Sequence, residues 1–350
     1  MKRPFLGRRE IVFITFSVIL VAILIIYLNL LVPLSFREEW KEIKIPEGIT
    51  YREGINILKR EGIIRNEFIL LLSRITATDR KLRAGYYKLS ASMSPWDIFN
   101  RLRKGRIIEY IIAIPEGSTL EDIKLKLMEV RLVDEESWQL VRDRDFLRVL
   151  DINAPSLEGY LYPDTYIFPK GIDPRSIFKA MVKRLRENIN GSLMERAKEI
   201  GMSENKVLTL ASIIEKEAQV DEERPLISAV YHNRLRRNMW LQADPTAIYG
   251  VKKMGAKITM ADLRRQTPYN TYVIKGLPPG PIASPGIKSI KAALYPADID
   301  YLYFVSRNDG THHFSRTSVE HSRAVLLYQR HIPSGIHRRA NNNDAEKKTN

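Results

Sequence analysis

Two carboxylates stand two residues apart in "ASIIEKEAQ", Ala211 to Gln219, directly behind the apolar run Val207 to Ile214. A glutamic acid held at the edge of a core loses hydration, which penalises its charged form and raises its pKa. An acid still protonated near neutral pH is what glycosidic cleavage needs as a proton donor. Glu217 lies about one helical turn past Ile214 and about two past Leu210, so it extends a stripe that reads as buried. Glu215 lies about 200° round the same helix, on the side of Leu208 and Ala211. Within one helix the two cannot form the opposed carboxylate pair of an ordinary glycosidase. Periodicity leaves open which of them faces a cleft, and by itself it favours a solvated helix end over a catalytic acid.

The elements that must position these groups are readable in outline. The apolar helix over 207–217 is followed by a basic amphipathic helix over 225–238. In "ADPTAIYG", Asp244 is expected as an N-cap, with Pro245 at the first helical position. Residues 268–286 form a long Pro/Gly-rich loop, and Ser284-Pro285 is expected to cap a helix reaching Leu294. "YLYFVSRNDGTHHFSR" reads as a hairpin turning at Asn308-Asp309-Gly310. Upstream, residues 120–150 and 174–201 read as helices.

Two earlier stretches resemble each other, "IPEGITYREGINILKREGII" from Ile45 and "IPEGSTLEDIKLKLMEVRLV" from Ile114. Each opens a strand-turn-helix unit, with Thr50 and Thr119 as N-caps and Glu53 and Asp122 completing capping boxes. Between them, Ser94-Pro95 starts a helix over 95–103, and a strand is expected over 107–114. A compact α+β module therefore spans 44–106, which reads equally as a ligand-binding element or as a spacer.

The N-terminus indicates location. Residues 11–34, "IVFITFSVILVAILIIYLNLLVPL", carry no charge and as a helix would extend roughly 36 Å, enough to cross a bilayer. Lys2, Arg3, Arg8 and Arg9 precede this span, so the positive-inside rule puts residues 1–10 in the cytoplasm and the body outside. The 350 residues carry 56 Lys+Arg against 41 Asp+Glu, a net charge of +15. That surplus suits an anionic partner, and an external body makes membrane lipids or an acidic polymer the expected partners and argues against nucleic acid. With no cysteine in the chain, disulfides, thiolate metal sites and a cysteine nucleophile are excluded.

Five separated motifs in register carry a more specific signal: "LEGYLYPDTY", "ASIIEKEA", "NRL", "LQADPTAIYG" and "TPYNTYVIKGLPPGPIASPG". Together they resemble the YceG-like family, the membrane-anchored MltG-type endolytic transglycosylases. The resemblance covers nearly the whole chain, with Ala218 and Ala243 where relatives often have Thr. It implies an α+β fold comprising a transmembrane helix over 11–34, a small LysM-like α+β module over 44–106 and a mixed α/β catalytic domain over 107–335. A disordered polar tail is expected over 338–350. The resemblance further implies cleavage of the β-1,4 bond between N-acetylmuramic acid and N-acetylglucosamine in peptidoglycan, with 1,6-anhydro ends as product. It places the catalytic acid at Glu217, leaving Glu215 a supporting or structural role. Gln242, Asp244, Tyr269, Asn270 and Tyr272 are then expected around the substrate, with Tyr162 offering a face for sugar stacking. Cell-wall synthases are further candidate partners, and no cofactor is expected.

Other readings compete. Alternating Tyr160, Tyr162 and Tyr166 point more to strand packing than to sugar binding. His312, His313 and His321 lack the spacing of a metal site. A hydrolase would use Glu217 with a second carboxylate such as Glu158 or Asp164 and yield reducing ends. A non-catalytic glycan-binding scaffold would leave Glu217 dispensable.

Overall fold

The computed structural model describes residues 7–70 and 82–329. The first basic residues and the tail expected over 338–350 lie outside the described residues. The chain forms two compact units, Met1–Ile111 with Ile167–Ile172, and Ile112–Tyr166 with Asp173–Asn350.

In the first unit the uncharged run folds as helix α1, Arg8–Leu30, none of whose side chains is buried in protein. Its 23 residues are long and apolar enough to cross a membrane. The helix ends at Leu30, four residues before the expected Leu34. Pro33 explains the early stop, because it lacks an amide proton and biases Val32 away from helical geometry. Strands β1 (Trp40–Ile45) and β2 (Gly85–Ser90) pair antiparallel, with Trp40 opposite Ser90 and Ile45 opposite Gly85. Alternation on β1 sends Ile43 and Ile45 inward, onto helices α2 (Tyr51–Arg60) and α3 (Pro95–Arg103). Ile55, Leu58, Tyr87, Leu89, Ile98 and Phe99 are wholly enclosed there. Thr50 caps α2 in a reciprocal capping box with Glu53, and Ser94 caps α3 ahead of Pro95, as their spacing predicts.

The second unit is mainly helical. Strands β3 (Glu109–Ala113) and β4 (Thr165–Pro169), each of which has residues in both units, pair with each other. Thr119 and Asp122 form the capping box of α4, Leu120–Glu129, and short helices α5 (Glu135–Trp138) and α6 (Arg144–Val149) follow. The chain continues through α7 (Pro174–Asn188), α8 (Gly191–Glu199) and α9 (Glu204–Glu217). Next come α10 (Arg224–Arg236), α11 (Asp244–Ile248), α12 (Met260–Arg264) and α13 (Ile287–Leu294). The hairpin β5 (Tyr303–Ser306) and β6 (His312–Ser315) and helix α14 (Ser318–Gln329) complete the described part. Strands pair only two by two among the described residues, so the architecture is α+β and not an interleaved parallel sheet.

Helix α9 is the centre of this unit. Every residue from Val207 to Ile214 is buried, and α9 packs against α10 and α13. The run is buried on every side, which is why periodicity could not tell one face from another.

Two expected caps are corrected. Ala243, not Asp244, is the N-cap of α11, and Asp244 is its first residue. Gly286 caps α13 instead of Ser284-Pro285, and the Ser284 hydroxyl is buried without a hydrogen-bond partner. In both cases a tertiary contact described below competes for the end of the element.

Candidate active site

Helix α9 carries Glu217 out of the core at its last turn. The residue as a whole is half-buried, and its carboxyl lies among protein groups. Burial, and then the like charge of Asp244, push its pKa up to about 7. Three weaker influences pull the other way: the Tyr231 hydroxyl, the Asp244 backbone N–H and the positive charge of Arg234. Tyr231 Oη donates to Glu217 Oε1 at 3.2 Å. A carboxyl balanced in this way is about half protonated at neutral pH, so it can both give and take a proton.

Tyr231 and Arg234 come from α10, three residues apart and therefore on one face. Arg234 is buried and satisfied by backbone carbonyls, donating from Nε to Leu302 at 2.7 Å and from Nη1 to Leu241 at 2.7 Å. Burial lowers its pKa. Its guanidinium also lies 5.2 Å from the Tyr303 ring centre. Arg234 thus ties the segment before α11 to the start of the β5–β6 hairpin while lending positive charge to Glu217.

Asp244 is fixed from the other side. Tyr272 Oη donates to Asp244 Oδ1 at 2.6 Å, so the carboxylate of this first helical residue is held by Tyr272. Asn270 Oδ1 accepts from the Tyr272 backbone N–H at 3.1 Å. The Asn270 amide nitrogen donates to the carbonyls of Asp262, Leu263 and Arg265 at 3.1, 3.1 and 2.8 Å. Asn270 is wholly buried, so it closes the end of α12 and positions Tyr272 without presenting a group to a ligand. Gln242 is exposed beside Asp244 in a left-handed conformation, φ 49°. Its backbone N–H donates to Thr271 O at 3.1 Å, and the Thr246 and Thr271 hydroxyls meet at 2.8 Å below it. These buried threonines latch 241–246 to 270–272 and so hold Asp244 and Tyr272 near Glu217.

Four tyrosines singled out in the sequence have other partners. Tyr162 is buried, with Glu116 and Asp164 as its charged neighbours, and offers no open face for stacking. Tyr160 and Tyr166 are buried as well, with hydroxyls bonded to Asn205 Oδ1 and the Tyr162 carbonyl. Tyr269 packs against Tyr249 with tilted rings, their centres 4.6 Å apart, near Glu158. Tyr160, Tyr166 and Tyr269 serve packing, because their hydroxyl or ring already has a protein partner.

Glu215 projects away from Glu217. Its Oε1 accepts from Arg224 Nη1 at 3.2 Å and its Oε2 from the Gly286 N–H at 2.9 Å. The side chains of Glu215 and Arg224 are 7% and 11% exposed. This pair fastens α9 to the first turn of α13, and it explains why Ser284 is not needed as a cap.

Neither rival carboxylate is free. Glu158 is buried, accepting from the Leu120 N–H at 3.0 and 3.2 Å and from Tyr249 Oη at 2.8 Å. Burial raises its pKa to about 7, yet its partners belong to the start of α4 and to Tyr249. Asp164 accepts from Arg184 Nε at 2.6 Å and is held below the usual carboxylate range by that bond. Among the histidines, His312 Nδ1 meets Glu223 Oε2 at 2.7 Å, and His321 stacks on Tyr303 at 5.1 Å. Among the described residues no three His, Asp or Glu side chains gather as a metal ion would require.

Tyr231 and Arg234 were not legible as site residues from the sequence. The only available signal was an arginine on the buried side of a helix, one turn from a tyrosine.

The YceG-like family matches residues 43–326. The chain belongs to the YceG-like family. Among its YceG-like relatives, the endolytic murein transglycosylase of Bacillus subtilis is 33% identical over 306 residues, covering 82% of this chain and 84% of that protein. That of Streptococcus pneumoniae serotype 2 is 29% identical over 321 residues, and the match spans only 58% of its length. A crystal structure of a putative yceG-like protein from Listeria monocytogenes is 34% identical, with a TM-score of 0.57 over 82% of this chain and all of that one.

Proposed function

We propose that this YceG-like protein is an endolytic murein transglycosylase that cuts peptidoglycan glycan strands between N-acetylmuramic acid and N-acetylglucosamine. The observation that carries the reading is Glu217 at the last turn of α9, whose carboxyl has a pKa of about 7 beside the Tyr231 hydroxyl and the charge of Asp244. The activity named for the relatives from B. subtilis and S. pneumoniae supports it.

In the proposed reaction, protonated Glu217 gives its proton to the glycosidic oxygen as the bond from muramoyl C1 breaks, and N-acetylglucosamine leaves with a free 4-hydroxyl. The Glu217 carboxylate then takes the proton of the muramoyl C6 hydroxyl, whose oxygen bonds to C1 and closes a 1,6-anhydro ring. One residue serves as acid and base because a pKa near 7 places both forms within reach. No second carboxylate is needed, since the substrate supplies its own nucleophile. Asp244 and Tyr272 hold the electrostatic setting of Glu217, and exposed Gln242 is a candidate to bind a sugar hydroxyl or acetamido group. Glu215 supports the helix that carries Glu217.

Helix α1 serves in this reading as a single-pass anchor, with the basic N-terminal residues in the cytoplasm and the body outside. The small unit with β1, β2, α2 and α3 is proposed as a LysM-like glycan-binding module. Mass spectrometry of un-crosslinked glycan strands treated with the protein, intact and as Glu217→Gln, tests the chemistry. Anhydro-muramoyl ends that vanish in the variant are expected. Reducing ends in their place, or cleavage indifferent to the substitution, would overturn the proposal.

A further inference from the structure

Helix α1 does not leave its unit as a free stalk. Asn66 Nδ2 donates to Asn29 Oδ1 at 2.5 Å, joining the segment after α2 to the last turn of α1. The Ser35 N–H donates to Ala91 O at 3.0 Å, just beyond β2. A small recess at this junction is lined by Leu28, Asn29 and Val32 from the anchor side and by Ile64, Arg65 and Pro95 from the other.

The length of α1 turns these contacts into a statement about depth. Starting from Ile11, a hydrocarbon core of about 30 Å is crossed in about 20 residues, which places Leu30 at the far boundary. Any residue touching Leu28, Asn29 or Val32 then lies in the headgroup zone. Arg65 and Pro95 line the recess itself. Trp96, next to Pro95, is 41% exposed, and Phe36, just past the anchor, is 88% exposed. Aromatic rings with one apolar body exposed, and cations able to meet phosphate, are what a bilayer interface accommodates.

We infer that the small module lies on the phospholipid surface from which α1 emerges, clamped there by Asn66 and Asn29, with Trp96, Phe36 and Arg65 in the headgroup layer. The inference rests on reading α1 as a membrane span. The module then adds a second membrane contact to the single helix, and the surface it can offer to a glycan is the one turned away from Trp96.

The absence of cysteine makes site-directed spin labelling direct. The full chain in phospholipid nanodiscs would carry one label at a time, through Trp96→Cys, Phe36→Cys, Arg52→Cys or Leu20→Cys, and its relative accessibility to oxygen and to a water-soluble nickel reagent would be read. Labels at 96 and 36 are expected to show a severalfold higher oxygen-to-nickel ratio than the label at 52, on the exposed first turn of α2. An aqueous reading at 96 and 36 with an apolar one at 20 would overturn the docked module and leave the span intact. An aqueous reading at 20 would instead overturn the span. Should Trp96→Cys fail to fold, brominated lipid would quench tryptophan fluorescence in the unlabelled chain, with Trp96→Phe expected to remove much of that quenching. Quenching unchanged by Trp96→Phe would count against the docked module.

Discussion

The hydroxyl of Tyr231 reaches across from α10 to donate to Glu217 Oε1 at 3.2 Å. That bond favours the ionised carboxylate, while burial and Asp244 favour the protonated one. The position of Glu217 on the pH scale is therefore a balance that single substitutions should tip in opposite directions.

Removing the hydroxyl in Tyr231→Phe takes away a bond to the charged form, so the Glu217 pKa should rise further. The alkaline limb of the pH–rate profile, which reports loss of the acid's proton, is expected to move up by about one unit, the equivalent of about 1.4 kcal/mol. Rates of glycan-strand cleavage measured from pH 5 to 9 check this, and a limb that stays in place or moves down counts against it.

Asp244→Asn removes the second-largest cause of the raised pKa, the neighbouring negative charge. The same limb should move to lower pH, opposite in sign to Tyr231→Phe. Parallel profiles for the two variants provide the comparison, since damage to the fold alone would lower the rate without splitting the limbs in opposite directions.

Glu217→Gln is expected to abolish cleavage and also to stabilise the fold at alkaline pH. A carboxyl whose folded pKa lies at about 7, above an unfolded value of about 4.3, contributes stability that is complete below the unfolded value. That stability is lost as pH rises through the folded value. The variant removes this loss, so its gain in Tm over the wild type should be larger at pH 8 than at pH 5. Calorimetry at the two values decides, and an equal or reversed difference would contradict the assignment.

Breaking the Glu215–Arg224 pair acts elsewhere. Arg224→Met strands a buried carboxylate at the start of α13, for a cost of about 3–5 kcal/mol. Denaturant unfolding should show that loss, while the pH limb of the residual activity stays where it was, because Glu215 is not among the groups acting on Glu217.

Gly159 holds a left-handed φ of 78°, and a Cβ there would lie 2.3 Å from Pro281 Cβ. Gly159→Ala faces both backbone strain and the close approach of a stiff loop, so a loss exceeding about 1 kcal/mol is expected. A thermal unfolding curve superimposable on the wild type would show that the loop yields.

The local elements of this protein were determined by the sequence alone. Thr50, Ser94 and Thr119 cap the helices their spacing indicates, the hairpin turns at Asn308 to Gly310, and an uncharged run makes α1. Caps, turns and apolar length act over a few residues, so a single chain displays them. Five motifs in register likewise pointed to the family that the comparison assigns. What only the tertiary structure decided was which side chains meet. Asp244 looked like a helix cap until α11 began at it and Tyr272 Oη held it, Asn270 looked like a substrate contact until three carbonyls at the end of α12 enclosed it, and Tyr162 turned inward. The two carboxylates of "EKE" were separated the same way. Arg224 neutralises Glu215 and the Gly286 N–H donates to it, whereas Glu217 meets Tyr231 and the charge of Asp244. Helical periodicity sets the angle between them, but whether a cation or an anion waits on each side depends on elements far along the chain, and it is that charge which moves a proton's pKa.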